Sequence, residues 1–267
     1  MSTIESYPRE QWQVPEYTVD ELQAKSASYC VCVFVINEGK KLHAQLRKMM
    51  PLADAFDIVI ADGGSSDNST ALGTLKEFRV NTLLTKTGAG KLGAQMRMAF
   101  AWALDRGYKG IVVIDGNNKD SVEDIPNFVE KLEQGYDHVQ GSRFIPGGRH
   151  ENTPVLRLIG LKILHAPLMR IASGFKYTDT TNGFRAYSEK LLKDRRIAVF
   201  RDIFNGYELH YYLAIQAAKL GFNCIEIPVT RKYPAQGKTP TKISPIKGNL
   251  QVIGKLLAAV LGKYDLK

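Results

Sequence analysis

The chain has 267 residues, 44% of them hydrophobic and 24% charged, which excludes a disordered or fibrous protein and leaves enough apolar material for one large domain or two small ones. Its 36 Lys and Arg against 27 Asp and Glu give a net charge of +9, a balance that favours a polyanion: nucleic acid, an anionic membrane surface or a phosphorylated substrate. No apolar run approaches the roughly 20 residues that cross a bilayer, and the polar, acidic opening MSTIESYPREQW is no signal peptide, so a cytoplasmic protein is expected.

In chain order, residues 1–28 carry polar and turn residues and read as an N-terminal extension. From Tyr29 the run CVCVFVI is apolar and β-branched throughout, as a buried parallel strand is. Cys30 and Cys32, two apart on one strand face, read as reduced core thiols, since such a pair cannot easily bridge. GKKLHAQLRKMM then predicts a helix, FDIVIAD a second strand and NSTALGTLKEF a second helix. GKLGAQMRMAFAWALDRG spaces Leu92, Met96, Ala99, Phe100 and Ala103 at helical intervals and stops at Gly107. GIVVID is a strand, SVEDIPNFVEKLEQG a helix and YDHVQG a strand. This alternation predicts an α/β fold, a mostly parallel sheet with helices on both faces.

Ligands of such sheets gather at the carboxyl ends of the strands. Polar clusters stand there at 37–39 (NEG), 61–67 (ADGGSSD) and 115–120 (DGNNKD). Asn37-Glu38 suits a helix cap as well as a ligand contact. In ADGGSSDNST two glycines allow a tight turn, Ser65 and Ser66 donate, and Asp67 or Asn68 can cap the next helix, which leaves Asp62 unused at the strand tip. TGAGKLGAQMR is a glycine-rich helix start with Lys91 at its head, a place that favours phosphate, although the nucleoside-triphosphate loop spacing fails at Leu92. Asp115 follows four apolar residues, with Asn117 two positions on; oxygen ligands so spaced hold Mg²⁺ or Mn²⁺ beside a diphosphate, or else cap a helix. TDTTNGFRAY, residues 178–187, combines hydroxyls, an Asn182-Gly183 turn and Arg185 with no clean period.

The ordered set of these clusters resembles the family 2 glycosyltransferases with the GT-A fold, and within them the polyprenyl-phosphate (dolichol-phosphate mannose synthase-like) branch. The resemblance is carried by FVINEG, DGGSSD, GAGKLGA, DGN, GSRF and DTTNGFRAY, over roughly residues 29–235. It implies a single GT-A domain at 29–235 followed by a basic amphipathic segment at 236–267. The implied activity is inverting transfer of a sugar from a UDP- or GDP-linked donor to a lipid phosphate, with a glycan hydroxyl as second acceptor and a weakened sugar-nucleotide-binding protein as the alternative. By the same carry-over Asn37 and Glu38 lie at the base and ribose, Asp62 accepts from the base, and Gly64, Ser65, Lys91, Asp115, Gly116 and Asn117 complete the donor site. Arg143, Thr181, Asn182 and Arg185 are expected at the donor diphosphate and acceptor phosphate, because guanidinium groups bind phosphate bidentately. A hydroxyl acceptor would need a base, for which Asp179 and Glu208 are the candidates. Two departures stand out: Gly63 replaces the second Asp of Asp-Asp-Gly-Ser, and Asn117 the second Asp of Asp-x-Asp. Mg²⁺ or Mn²⁺ is expected on Asp115, with Asn117 a weaker ligand and Lys119 near enough in sequence to bring positive charge of its own.

Between Arg231 and Lys267 eight basic residues face one acid, Asp265, which places +7 of the net charge in the last 37 positions. In SPIKGNLQVIGKLLAAVLGKY, Ser244 is a cap, Pro245 suits the first helical position, and Ile246, Leu250, Ile253, Leu257, Val260 and Leu261 form a stripe from which Lys247 and Lys255 fall away. Such a helix lies on anionic lipid at the inner face of a membrane, or packs on its own domain or a second subunit. VLRLIGLKILHAPLMRIASGF is broken by Arg157, Lys162, His165 and Pro167 and reads as a surface or acceptor-side helix pair. Nucleic acid is not expected, since the tail has no stacking platform.

Overall fold

A computed structural model describes residues 6–234 and 247–266. The three apolar runs become its central parallel strands: β2 (Tyr29–Val35) lies between β3 (Asp57–Asp62) and β5 (Gly110–Asp115). Nearly all their side chains are buried, as strands covered on both faces require. With β1 (Tyr17–Glu21), β4 (Thr82–Lys86), β6 (His138–Ser142), β8 (Arg185–Ser188) and β9 (Cys224–Pro228) they form an eight-stranded sheet in the order β1-β4-β3-β2-β5-β8-β6-β9.

Two strands correct the sequence reading. The segment taken as an extension supplies β1, antiparallel to β4 at the sheet edge. YTVDE is half polar because none of its five side chains is fully buried. TDTTNGFRAY, which shows no period, ends in β8, inserted antiparallel between β5 and β6. Its four residues, RAYS, are too few to display alternation, and an arginine heads them.

Helices α1 (Lys40–Met49), α2 (Leu72–Glu77), α3 (Leu92–Asp105) and α4 (Ile125–Glu133) alternate with these strands, as the patterning predicts. One face of the sheet packs Met96 and Phe100 of α3 against Phe204 and Leu213; the other packs Leu42 and Leu46 of α1 against Ile114 and Phe128. Past β6 come β7 (Arg149–Glu151), α5 (Val155–Gly160), a π turn (Leu161–His165) and α6 (Ala166–Ser173). The expected helix pair is one continuous helical run, with Pro167 two residues past the π turn. After β8 follow the short α7 (Glu189–Leu192), α8 (Glu208–Lys219), β9, and β10 (Thr230–Lys232), which pairs with β7 in a small parallel ribbon.

Ser244 and Pro245 lie outside the described residues. Helix α9 (Lys247–Val260) packs on α8 and α6, with Leu256 and Ala259 in a small core beside Met169, Tyr177 and Tyr211. Of the expected stripe, Ile246 lies outside the described residues and no other member is fully buried; the inward face is formed by its neighbours. Leu250, Leu257 and Leu261 face outward, Leu256 and Ala259 face inward, and Lys255, away from the stripe as expected, pairs inward with Glu208.

The sheet reverses its winding between β2 and β5, where α/β folds bind ligands. There Val35 of β2 pairs with Asp62 and Phe34 with Asp115, so both strand-tip aspartates flank one crevice.

Candidate functional site

The wall over β2 and β3 is stitched from short-range hydrogen bonds. Asn37 leaves β2 at φ +48°, a left-handed conformation that Asn tolerates better than branched residues do. Its N–H donates to Ser65 Oγ (2.9 Å), and its Oδ1 accepts from Ser66 N–H (2.8 Å). Asp62, fully buried, accepts from Ser65 N–H (3.0 Å) and Oγ (2.6 Å), while Gly64 makes the turn at φ +94°. Asp67 accepts from Gly39 N–H (2.9 Å) and from Ser69, which locks the two loops together. Glu38 lies 3.7 Å from Lys41. Gln95 of α3, which the sequence did not single out, donates to carbonyls at the ends of both strands, Val35 (3.0 Å) and Ala61, one before the last of β3. A Cβ on Gly63 would lie 3.4 Å from Gln95 Oε1 and from Ile36, so the second aspartate of the family pattern would begin against these groups.

At the tip of β5 the charges converge. Asp115 Oδ2 accepts from Asn117 Nδ2 (3.2 Å) and from Arg231 Nη2 (3.3 Å). Arg231 Nη1 pairs with buried Asp120 and reaches Asn182 Oδ1 (3.4 Å), so one guanidinium ties β10, the β5 tip and the 182 turn together. Burial works against that guanidinium's charge, but Asp120 and Asp115 outweigh it and hold its pKa high; burial pushes the Asp120 carboxyl up. Gly116 sits where a Cβ would strike Val35 at 2.9 Å, so the loop can lie against β2 only as glycine.

A second wall rises from Arg143, buried, which forks onto Asp179 through Nε (2.6 Å) and Nη2 (2.9 Å) and donates to Thr181 Oγ1 (3.0 Å). Its Nη1 is buried with no partner among the described residues. Tyr233 stands opposite, its hydroxyl accepting from Arg157 Nη1 (2.8 Å), with Lys119 Nζ 5.2 Å and the Arg231 guanidinium 5.8 Å from its ring centre. Burial would raise the Tyr233 phenol, yet Arg231, Arg157 and Arg143 together bring it below its ordinary value. Burial, and then Arg231, lowers Lys119. A cavity of about 280 Å³ opens here, lined by Lys41, Asn117, Asn118, Lys119, Lys232 and Tyr233. Tyr207, half-exposed, is raised by burial and then by the nearby charge of Asp115.

Two expected site residues, Arg185 and Glu208, are engaged elsewhere. Arg185 is buried and spends its guanidinium on the carbonyls of Asn182 (3.0 Å), His210 (2.8 Å) and Thr180 (3.1 Å). It shapes the loop that carries Thr181 and Asn182 and is not presented to the crevice. Glu208 holds the loop that leads into its own helix, accepting from the N–H groups of Asn205 and Gly206 (both 2.6 Å), and pairs with Lys255. The glycine-rich start of α3 is no open phosphate cradle: Lys91 N–H (3.0 Å) and Gly93 N–H (3.2 Å) both go to the Asn205 carbonyl. A Cβ on Gly93 would lie 2.7 Å from the Phe204 carbonyl, so the glycine serves the contact between helix and loop. The Lys91 side chain is exposed at the rim. Sequence reasoning missed Arg231, Tyr233, Arg157 and Asp120; Arg231 had been counted as tail, and nothing local marks it.

A divalent cation fits this donor set as a substrate-assisted ligand. Among the described residues no three His, Cys, Asp or Glu side chains gather around one point, so there is no closed protein cage. Asp115 keeps Oδ1 beside Gly183, where an added Cβ would come to 3.3 Å, and Mg²⁺ commonly takes one or two carboxylates and completes its shell from substrate phosphates and water.

A switch-point crevice with a carboxylate tip and a cationic far wall is that of an α/β protein that binds a phosphorylated ligand, and comparison with known proteins makes it an enzyme of the glycosyltransferase class. The chain belongs to glycosyl transferase family 2, whose model matches residues 30–196. It is 28% identical over 245 residues to a dolichyl-phosphate hexose transferase of Haloferax volcanii, covering 92% of this chain and 96% of the relative. It is 28% identical over 204 residues to a polyprenol monophosphomannose synthase of Mycolicibacterium smegmatis, covering 75% and 76%. A crystal structure of glucosyl-3-phosphoglycerate synthase from Mycobacterium tuberculosis with Mn²⁺, UDP and glucosyl-3-phosphoglycerate superposes with a TM-score of 0.62 over 88% of this chain and 79% of that one; at 15% identity the likeness is one of GT-A fold.

Proposed function

We propose that the protein transfers a hexose from a nucleoside diphosphate sugar to a polyprenyl phosphate, with inversion. The observation that carries this reading is the disposition of charge on the second wall. Arg143, Arg157, Arg231 and Lys119 surround Tyr233, while the carboxylates nominated as bases are engaged: Asp179 is wholly buried under Arg143, and Glu208 is tied to Lys255 and two N–H groups. A phosphate monoester is anionic near neutral pH and needs no base, whereas a sugar hydroxyl does. The names of the relatives agree with a lipid phosphate acceptor.

In this reading a phosphate oxygen of the acceptor attacks the anomeric carbon as the bond from that carbon to the β-phosphate oxygen breaks, and the nucleoside diphosphate departs. Asn37, Glu38, Asp62 and Ser65 frame the nucleoside side. Arg231 and Lys119 face the leaving diphosphate, and Arg143, through Nη1, and Arg157 hold the acceptor phosphate, placed before reaction so that no reorganisation is needed. Thr181 and Asn182 fix the orientation of Arg143 and Arg231. Mg²⁺ or Mn²⁺, held by Asp115 with Asn117 behind it, would neutralise the departing phosphates.

The test is transfer of labelled sugar from a panel of UDP- and GDP-hexoses to a short-chain polyprenyl phosphate, with the matching polyprenol as control and with Mg²⁺, Mn²⁺ or EDTA. Label in an acid-labile lipid from the phosphate alone is expected. Transfer to the alcohol with the phosphate inert would overturn the reading in favour of a hydroxyl acceptor.

A further inference from the structure

Among the described residues, seven of the thirteen exposed large apolar side chains lie in two segments, 155–171 and 250–261. Ile171 (79% exposed), Ile163 (73%) and Leu261 (72%) are the most exposed of the thirteen. Val155, Ile159, Ile163 and Ile171 fall on steps of four along the continuous 155–173 helix. In an α-helix each such step drifts by about 40° from the last. The π turn at Leu161–His165, with its wider i→i+5 spacing, winds less per residue and offsets that drift, keeping the isoleucines near one face.

The same two segments contain no acid. Residues 152–178 hold four Lys or Arg and no Asp or Glu, and residues 247–264 hold three and none; Lys162, Arg170, Lys176 and Lys263 among them are exposed beside the apolar faces, whereas Arg157 turns to Tyr233 and Lys255 to Glu208. The segments are neighbours: α6 and α9 pack together, and Met169 and Leu256 share a core beneath them, which turns their other faces outward. No helix among the described residues is long and apolar enough to cross a membrane.

We propose that the outward faces of the 155–173 helix and of α9 form a docking surface for an anionic lipid bilayer. Large exposed apolar side chains rimmed by Lys and Arg are what an interfacial helix presents to headgroups and acyl chains. A second copy fits poorly, because a two-fold interface would set this acid-free face against itself, cation against cation. The surface is also continuous with the site. Arg157 reaches from α5 to the Tyr233 hydroxyl (2.8 Å), and Lys162 Nζ lies 5.5 Å from the ring centre of Phe144, which Arg143 also covers at 5.1 Å. The inference rests on exposure and charge and stands apart from the acceptor assignment.

The experiment is sedimentation of the full chain with phosphatidylcholine vesicles prepared with and without phosphatidylglycerol, at low and high salt, alongside light scattering of the free protein. Wild type is expected to bind the anionic vesicles and to lose binding as salt rises. Ile163→Asp/Ile171→Asp should lower the partition by about tenfold or more, with circular dichroism and thermal midpoint near wild type. Lys162→Glu/Lys176→Glu, a milder change, should remove the preference for anionic lipid. Wild type that stays in the supernatant, or variants that bind as wild type does, would overturn the proposal. So would a wild-type dimer that the isoleucine variant dissociates, since the face would then belong to a second copy.

Discussion

The two walls of the crevice meet at Asp115 but are built in opposite ways. Over β2 and β3 the polar groups satisfy one another at short range: Asn37, Asp62, Ser65 and Asp67 close their bonds within 29 positions of sequence, and Gln95 comes from the helix packed directly behind them. The far wall is assembled over long distances, with Arg231 meeting Asp115 from 116 positions away and Arg143 meeting Asp179 from 36. It also keeps donor capacity in reserve, as the buried Nη1 of Arg143 shows. A self-satisfied wall is a rigid frame for a neutral base and ribose; a wall of restrained cations suits ligands that bring their own negative charge.

The sharpest way to break this contrast is Arg231→Ala. It removes the cation shared by Asp115, Asn182 and Asp120, and we expect transfer to fall by about 10²–10³-fold. It also strands the Asp120 carboxyl in the core, at a cost of about 3–5 kcal/mol, read as a fall in denaturant midpoint. Arg231→Ala/Asp120→Asn should recover much of the stability and none of the transfer. Recovery of both would make Arg231 structural only.

Acidification probes the ground beneath the far wall. His138 on β6 is held by burial, and then by Arg185, at about 3 instead of its ordinary value near 6.5. Burial lowers His210, together with Arg185 and His138, and burial alone lowers His165. An unfolded chain takes up these protons first, so the stability is complete above about pH 6.5 and falls toward pH 3, by up to about 1.4 kcal/mol per pH unit for each group. Asp120 and Glu226, raised by burial, act in the opposite sense. Urea unfolding should therefore shift to lower midpoints between pH 7 and 5, and a midpoint independent of pH there would show that these histidines are not held neutral.

A smaller effect is expected from Gly93→Ala. Its new Cβ would lie 2.7–2.9 Å from backbone atoms of Phe204, Asn205 and Gly206, so the loop must move, at about 1–3 kcal/mol in thermal stability. An unchanged midpoint would return the glycine-rich segment to the ligand role that its sequence suggests. The mildest change is Ser65→Ala, which deletes hydrogen bonds to Asp62 (2.6 Å) and from Asn37 (2.9 Å). Nucleoside diphosphate affinity should drop less than tenfold, by about 1 kcal/mol in calorimetry, while transfer from bound donor is unaffected.

The same contrast explains what could be read from the sequence. The β2, β3 and β5 runs, their helices and the polar strand tips are local patterns, so the sheet, the crevice and the placement of Asn37, Asp62, Ser65, Asp115 and Asn117 at its strand tips were legible. Strand β1 was hidden by its polar edge character, and β8 by its length of four residues. Arg185 and Glu208 are engaged away from the crevice, because a sequence does not reveal that an arginine will turn onto three carbonyls or that a glutamate will bind the loop before its own helix. Arg231 and Tyr233 escaped because their partners come from distant loops, and charge counting grouped Arg231 with the tail.

The most direct test of the cationic wall is calorimetric titration of a short isoprenyl phosphate, and of the corresponding alcohol, into the protein saturated with its preferred nucleoside diphosphate. Binding of the phosphate, absence of binding by the alcohol, and a loss of about tenfold or more in Arg143→Ala are predicted. Equal binding of phosphate and alcohol, or an Arg143→Ala variant that binds the phosphate as tightly as wild type, would contradict the assignment of this wall to the acceptor phosphate.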